Sequence, residues 1–249
     1  MLNTKIAFAL IGLGIGVSSV QAKEVNFIFG LSLPPYVIQE ASSGFELEII
    51  REALAVKGHT LKPSFNSFSL VTQLLREKKA DGAQRGNPDL VDGAGFFYAA
   101  NQTVAYQDVA ISLKSNNFKI ENLNDIKGKT IVSFQGASKF MGKDFSEAVA
   151  GNPKYSESAN EDKKTKQLYA NGLDVLVGDI NIFKYYKNKV TGVDTRQEIV
   201  YHKIFSDHDI KTNHPVFIDK QICDDFDAGL KLLKSNGRYK EIIKKYITE

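Results

Sequence analysis

The sequence predicts an α/β fold with two lobes, each built on a parallel sheet with helices on its faces. Apolar segments of strand length alternate with amphipathic segments of helix length in two separate stretches, and two further helical segments end the chain. This alternation is typical of parallel sheets, whose neighbouring strands are joined by helical crossovers. A chain of 249 residues is long enough for two such lobes.

The first stretch contains two strand–helix pairs. Its predicted elements are a strand over 25–31, a helix over 45–54, a strand over 61–65 and a helix marked by Leu70, Leu74 and Leu75. Apolar residues of the helical segments recur at helical spacing, which places them on one face. Gly58 ends the first helix.

The second stretch begins after Ser115. Its predicted elements are a strand over 130–134, a helix opened by 135–138, a helix over 160–169 and a strand over 173–177 that ends at Gly178-Asp179. Helices over 224–233 and 237–246 follow. We predict two crossings between the lobes, near 111–116 and near 203–206. Residues 23–112 and 205–249 would then form the first lobe, and residues 113–204 the second.

The N-terminal segment has the pattern of a cleavable secretory signal. Lys5 precedes an apolar run from Ile6 to Val17, and Val20-Gln21-Ala22 supplies the small residues of a cleavage site. The run is too short for a membrane anchor, which needs about 20 residues. Residue 23 is Lys rather than Cys, so no lipid anchor is expected. We therefore predict a signal peptide over 1–22 and a mature protein in the periplasm.

Composition argues against several other classes. The net charge is +3, and no basic run is interleaved with aromatic residues, so we expect no nucleic-acid partner. Cys223 is the only cysteine and is expected to be a buried apolar residue. His202, His208 and His214 lack the spacing of a helical zinc pair, and neither a P-loop nor a G-x-S-x-G motif occurs. We expect no metal and no cofactor.

Four segments follow one another in an order that matches a known family. They are Gly44–Glu48 with Phe68 and Ala80-Asp81, Leu123–Val132 followed by Gly136, Leu173–Asp179, and the tail from Phe226 through Gly237 to Tyr246. Together they resemble the family 3 extracellular solute-binding proteins. The resemblance implies a two-lobed periplasmic-binding-protein fold of type II. It also implies a ligand cleft that closes about a hinge, usually around an amino acid delivered to an ABC importer.

The resemblance also implies eight ligand-binding residues. In the first lobe they are the turn aromatic Tyr36, the stacking aromatic Phe68, and the main-chain donors Arg85 and Gly86. In the second lobe they are the main-chain donors Gly136, Ala137 and Ser138, and the carboxylate Asp179, which would bind a ligand ammonium group.

One departure from the family pattern concerns the carboxylate clamp. Amino-acid binders of this family carry an arginine soon after the position of Asp81, where guanidinium geometry suits a carboxylate. Here the stretch 87–93 contains no arginine, and the nearest candidate is Arg85. Either Arg85 reaches the carboxylate from a new position, or the ligand is not a plain α-amino acid.

Each candidate also has an ordinary structural interpretation. Asp179 could cap the helix that follows it, and Ser138 could be part of a helix cap. Phe68 could be a core residue. Arg85 could pair with Asp89 or Asp92.

The function that the sequence favours is that of a monomeric, non-enzymatic solute-binding protein. It would present a small polar ligand to an importer permease or a sensor kinase at the inner membrane. The alternative is a periplasmic dehydratase of cyclohexadienyl or arogenate type on the same fold, with Glu46 as general acid and Arg85 as carboxylate clamp. Glu46 and Glu48 do not form a catalytic pair, because residues two apart on a helix do not face each other. A third hypothesis is a degenerate cleft with signalling through a partner surface.

The first prediction concerns export. If the N-terminal segment is a signal, the periplasmic fraction of expressing cells should contain a chain that begins near Lys23, because the peptidase cuts after Ala22. Intact-mass spectrometry measures this directly. A periplasmic chain that still carries Met1 would contradict the prediction.

Overall fold

The structure, a computed structural model, describes residues 22–86, 95–205 and 214–247. Within these ranges the chain forms two five-stranded sheets with helices packed against them. Residues 1–21 of the predicted signal, the pair Asp89 and Asp92, and Ser206 at the second predicted crossing lie outside the described residues. None of the described helices is long and apolar enough to cross a membrane.

The strands and helices alternate along the chain much as the sequence predicts. The strands are β1 (Glu24–Phe29), β2 (Thr60–Phe65), β3 (Gly82–Ala83), β4 (Phe97–Tyr98), β5 (Asp108–Leu113), β6 (Ile131–Ser133), β7 (Tyr155–Glu157), β8 (Val175–Asp179), β9 (Ile199–His202) and β10 (Val216–Phe217). The helices are α1 (Phe45–Ala55), α2 (Phe68–Arg76), α3 (Ala137–Phe140), α4 (Lys143–Val149), α5 (Glu161–Tyr169), α6 (Ile180–Lys187), α7 (Lys220–Ser235) and α8 (Arg238–Lys244).

Each sheet is parallel on one side and antiparallel on the other. The first has the order β2-β1-β3-β10-β4 and the second the order β7-β6-β8-β5-β9. The strands β1, β2 and β3 run parallel, as do β6, β7 and β8, whereas β10 and β5 run antiparallel to their neighbours. The prediction of parallel pairing therefore holds for three strands of each sheet. The antiparallel strands are those that follow the crossings between the sheets.

The first crossing differs from its predicted position near 111–116. Ile111 lies in β5, where it pairs with Leu176 of β8 and Tyr201 of β9. Residues 109–111 are fully buried, which is typical of a central strand rather than a connecting segment. The chain therefore passes between the sheets before Asp108, and residues 108–112 belong to the second sheet. The second passage lies between β9 and β10.

The core of the first lobe is built on close packing of α1 against α7. Ile50, Ala53 and Leu54 of α1 are fully buried, and Cys223 of α7 is buried as the sequence predicts. Gly229 allows the two helix backbones to touch, because a Cβ atom at this position would overlap with the carbonyl oxygen of Ala53. A larger residue at position 229 would push the helices apart.

The second prediction follows from this contact. Gly229→Ala should destabilise the protein by about 1–3 kcal/mol, because overlap with a backbone carbonyl outweighs the gain in helix propensity of about 1 kcal/mol. Urea unfolding with far-UV circular dichroism measures the change. Gly178→Ala is the matched control, since its Cβ atom would meet nothing nearer than 3.8 Å. A Gly229→Ala protein at least as stable as the parent would show that the helices are not in contact at this point.

Candidate interlobe site

The predicted ligand residues lie at the carboxyl ends of the parallel strands. Tyr36 follows β1, Arg85 follows β3, Gly136 follows β6 and Asp179 ends β8. Because β1 and β3 are parallel, their carboxyl ends lie at one edge of the first sheet, and the ends of β6 and β8 share an edge of the second. Open α/β sheets bind ligands at such edges.

A buried hydrogen bond joins the two edges. The hydroxyl of Tyr36 in the first lobe donates to Oδ1 of Asp179 in the second at 2.9 Å, and the side-chain amide of Asn181 donates to the same hydroxyl at 3.1 Å. Tyr36 is fully buried. Burial and the nearby charge of Asp179 raise the pKa of Tyr36 well above its ordinary value, so the phenol remains a donor.

The turn before α1 fixes the position of Tyr36. The amide of Phe45 donates to the carbonyl of Pro35 at 3.0 Å, and the amide of Glu46 donates to the carbonyl of Tyr36 at 3.1 Å. Gly44 has a φ of 114° and lies so close that a Cβ atom would overlap with the Tyr36 carbonyl oxygen. Only glycine combines this conformation with this contact.

Asp179 acts as the N-cap of α6, as its ordinary interpretation supposed. Oδ1 accepts hydrogen bonds from the amides of Asn181 at 2.9 Å and Ile182 at 3.0 Å. Oδ2 accepts from the amide of Gln107 at 2.8 Å. Burial raises the pKa of Asp179, and these hydrogen bonds oppose the shift. Contact between Asp179 and a ligand stays a prediction.

Arg85 is half-buried and lies in a polar cluster of the first lobe. Its guanidinium carbon is 4.4 Å from the ring centroid of Tyr106, whose ring stacks on Tyr36 at 4.3 Å. Burial would lower the pKa of Arg85, but interactions with Tyr106 and Glu46 outweigh it and raise the pKa. The predicted partners Asp89 and Asp92 lie outside the described residues. Among the described residues, Glu46 and Tyr106 are two that stabilise its charge.

Glu46, the general acid of the alternative hypothesis, belongs to the same cluster. It is 1% exposed, and its Oε2 accepts hydrogen bonds from Gln84 at 2.5 Å and from the Tyr106 hydroxyl at 3.1 Å. Burial raises the pKa of Glu46, and the charge of Arg85 opposes the shift. The structure thus brings Glu46 and Arg85 into electrostatic contact, and it encloses Glu46 completely.

Gly86 and Phe68 complete the predicted positions of the first lobe. Gly86 is buried against β4 and β10, where a Cβ atom would come within 2.8 Å of the Tyr98 hydroxyl oxygen. Phe68 begins α2, directly after β2, and its side chain lies outside the described part of the structure.

The turn Gly136–Ser138 holds a carboxylate that the sequence analysis did not identify. The amides of Gly136 and Ser138 donate to Oε2 and Oε1 of Glu157 at 2.7 and 2.9 Å, and the Tyr155 hydroxyl donates to Oε1 at 2.8 Å. Burial would raise the pKa of Glu157, but hydrogen bonds from Ser138, Gly136 and Tyr155 outweigh it and lower the pKa to about 2. Ala137, between the two donors, is fully buried.

A second group of charged residues, on β5 and α5, lies near Asp179. Asp108 and Asp179 face each other on β5 and β8, and the fully buried Lys164 of α5 pairs with Glu161 at 2.7 Å. Burial, together with the charges of Asp179 and Glu161, raises the pKa of Asp108 to about 7, against the opposing effect of Lys164. The charged sequence around Lys164 gives no sign that this side chain is buried.

One cavity lies apart from these residues. It has a volume of about 680 Å³ and is lined in the second lobe by residues that include Asn122, Asp144 and Lys203. None of the seven predicted ligand residues whose side chains are described borders it.

Comparison with known proteins identifies the fold. The second substrate-binding domain of a protein described as an amino acid ABC transporter of Streptococcus pneumoniae aligns with a TM-score of 0.66 and 20% identity, over 90% of this chain and 100% of that one. Substrate-binding domain 2 of Lactococcus lactis GlnP, in its open conformation, aligns with a TM-score of 0.63 and 18% identity, over 91% and 96%.

A third similar structure is a histidine kinase sensor domain that resembles periplasmic binding proteins. It has a TM-score of 0.58 and 18% identity, over 90% of this chain and 95% of that one. No protein-family model matches the chain, and no curated protein matches it either. The two-lobed periplasmic-binding-protein fold predicted from the sequence is confirmed.

The third prediction concerns Asp108. Its pKa of about 7 in the folded protein lies above the unfolded value of about 3.9, so the unfolded chain releases the proton first as pH rises. The stability that protonated Asp108 confers is therefore complete below about pH 4 and is lost as pH rises through about pH 7. The variant Asp108→Asn has no carboxyl group to deprotonate at this position, so its stability does not undergo this loss.

The free energy of unfolding of Asp108→Asn, relative to the parent, should therefore rise by roughly 2 to 4 kcal/mol from about pH 4 to about pH 8. Urea unfolding at a series of pH values measures the difference. Asp144→Asn, at an exposed position of α4, is the control for removal of a carboxylate elsewhere in the second lobe. A flat difference for Asp108→Asn would contradict the prediction.

Proposed function

We propose that this protein is a periplasmic solute-binding protein that closes two lobes around a small ligand. The observation that carries the proposal is the meeting of the carboxyl ends of β1 and β8 at the hydrogen bond between Tyr36 and Asp179. Ligands of open α/β sheets bind at this position. In proteins of two lobes, ligand binding shifts an equilibrium between open and closed arrangements.

The similar structures support this class of function and two kinds of partner. One is described as part of an amino acid ABC transporter and another as a histidine kinase sensor domain. We propose that the closed form is presented either to an importer permease or to a sensor kinase. The predicted signal over 1–22 supports a location in the periplasm.

The dehydratase alternative has one observation in its favour. Glu46 has a raised pKa and lies in the field of Arg85, as a general acid beside a carboxylate clamp would. Glu46 is enclosed, however, and two donors of the protein share one of its oxygens. The arrangement resembles a structural network more than a reactive group. An assay of prephenate and arogenate turnover distinguishes the two functions.

The fourth prediction tests binding and closure. Native mass spectrometry of protein purified without denaturant should reveal a retained small molecule, because a closed cleft releases its ligand slowly. Small-angle scattering should give a smaller radius of gyration for the complex than for ligand-free protein. The ligand-free protein is prepared by unfolding, dialysis and refolding. The refolded protein with the identified molecule added back is the control and should regain the smaller radius. A molecule that calorimetry proves to be bound, without any change in scattering, would contradict closure.

A further inference from the structure

In the second lobe, main-chain donors that could bind an anion already bind a carboxylate of the protein itself. The amides of Gly136 and Ser138, which face the cleft edge after β6, both donate to Glu157 of the adjacent strand β7. The ring of Phe140 lies over the same turn, within 2.7 Å of where a Cβ atom of Gly136 would be. A carboxylate or phosphate of a ligand would have to displace a carboxylate that is already part of the chain.

The carboxylate of Asp179, the acceptor at this edge of the second sheet, also binds donors of the protein itself. The carboxylate of Asp179 accepts hydrogen bonds from the Tyr36 hydroxyl and from three main-chain amides. Three of these bonds are made to Oδ1, and Oδ2 accepts one, from the amide of Gln107. A ligand ammonium group would have to share this carboxylate with four donors of the protein.

The exposed apolar side chains lie mainly along the same two edges. Six large apolar side chains of the described residues are exposed: Leu31, Leu33, Val56, Leu70, Phe140 and Leu232. Leu31 and Leu33 lie between β1 and Tyr36, Leu70 lies in the first turn of α2 after β2, and Phe140 follows β6. Since β2 is parallel to β1, and β6 to β8, these four lie at the edges that meet at Tyr36 and Asp179.

We infer that the cleft binds an uncharged small molecule whose apolar body contacts Leu31 and Leu33 on one lobe and Phe140 on the other. The Gly136 turn and Asp179, two positions that would receive ligand charges, already bind Glu157 and Tyr36, and apolar surface remains exposed on both sides. Covering that surface supplies binding energy without desolvating a charge. The inference rests on the proposed function and names its ligand class.

Titration with the neutral fluorescent dye Nile red tests the apolar edges. The full mature chain should bind the dye at a single saturable site. Leu31→Ser and Phe140→Ser should each weaken this binding about tenfold, because each removes part of the contact. Val56→Ser and Leu232→Ser are matched controls. These side chains are 38% and 46% exposed, but they do not follow the carboxyl end of any strand at the cleft. Circular dichroism melting verifies that all four variants are folded.

Competition against the bound dye tests the ligand class. N-acetyl-phenylalaninamide and phenylalanine have the same apolar body, but only phenylalanine carries both charges. We expect the uncharged compound to displace the dye at a concentration at least about tenfold lower. The inference is overturned if the dye does not bind, if the control variants weaken it as much, or if phenylalanine competes equally well.

The outcome separates this inference from the proposed function. A retained zwitterionic amino acid that closes the lobes would overturn the uncharged class and leave the proposed function intact. Dye binding at the cleft edges, without any retained molecule or lobe closure, would support the apolar surface and count against a solute-binding role.

Discussion

The hydrogen bond between Tyr36 and Asp179 is the constraint on which the arrangement of the two lobes depends. It joins a turn of the first lobe to the helix cap of the second, and both groups are buried. Loss of the Asp179 carboxylate would leave the buried hydroxyl hydrogen of Tyr36 without its acceptor, at a cost of about 1–3 kcal/mol. The stacked ring of Tyr106 extends this contact to Arg85 and Glu46. The Tyr36–Asp179 contact is thereby linked, through stacked rings, to the buried Glu46 and the half-buried Arg85.

That pair explains why Arg85 can occupy a half-buried position. Removing a guanidinium from water is costly unless an opposite charge compensates for it, and Glu46 and the ring of Tyr106 supply that compensation. The same principle applies in the second lobe, where Glu161 compensates the fully buried Lys164. Charges on both sides of the cleft are therefore partnered within the protein, which leaves the polar groups ordered before any ligand arrives.

The sequence was sufficient for the elements with strong local patterns and for the position of candidate residues such as Asp179 at a strand end. The helix Phe45–Ala55 follows from apolar periodicity and from the glycines at its boundaries, and the strand Glu24–Phe29 follows from a short apolar run. The pairing of β5 with β8 and β9 did not follow, because a buried antiparallel strand has no local signal to distinguish it from a connecting segment. The role of Glu157 was equally hidden, since it depends on the parallel register that places Ser133 opposite Glu157.

The carboxylate of Glu157 at the Gly136 turn and the absence of an arginine from the stretch 87–93 both disfavour the binding of a ligand carboxylate. A ligand carboxylate that enters the turn at Gly136 competes with Glu157, which is tethered at the site and loses no translational freedom on binding. The lowered pKa of Glu157 reflects the strength of its hydrogen bonds. The stretch 87–93 offers no arginine to offset that competition. Binding selectivity on this fold can therefore change without altering the strands, because one side chain on a neighbouring strand is enough to satisfy the donors that a ligand would otherwise use.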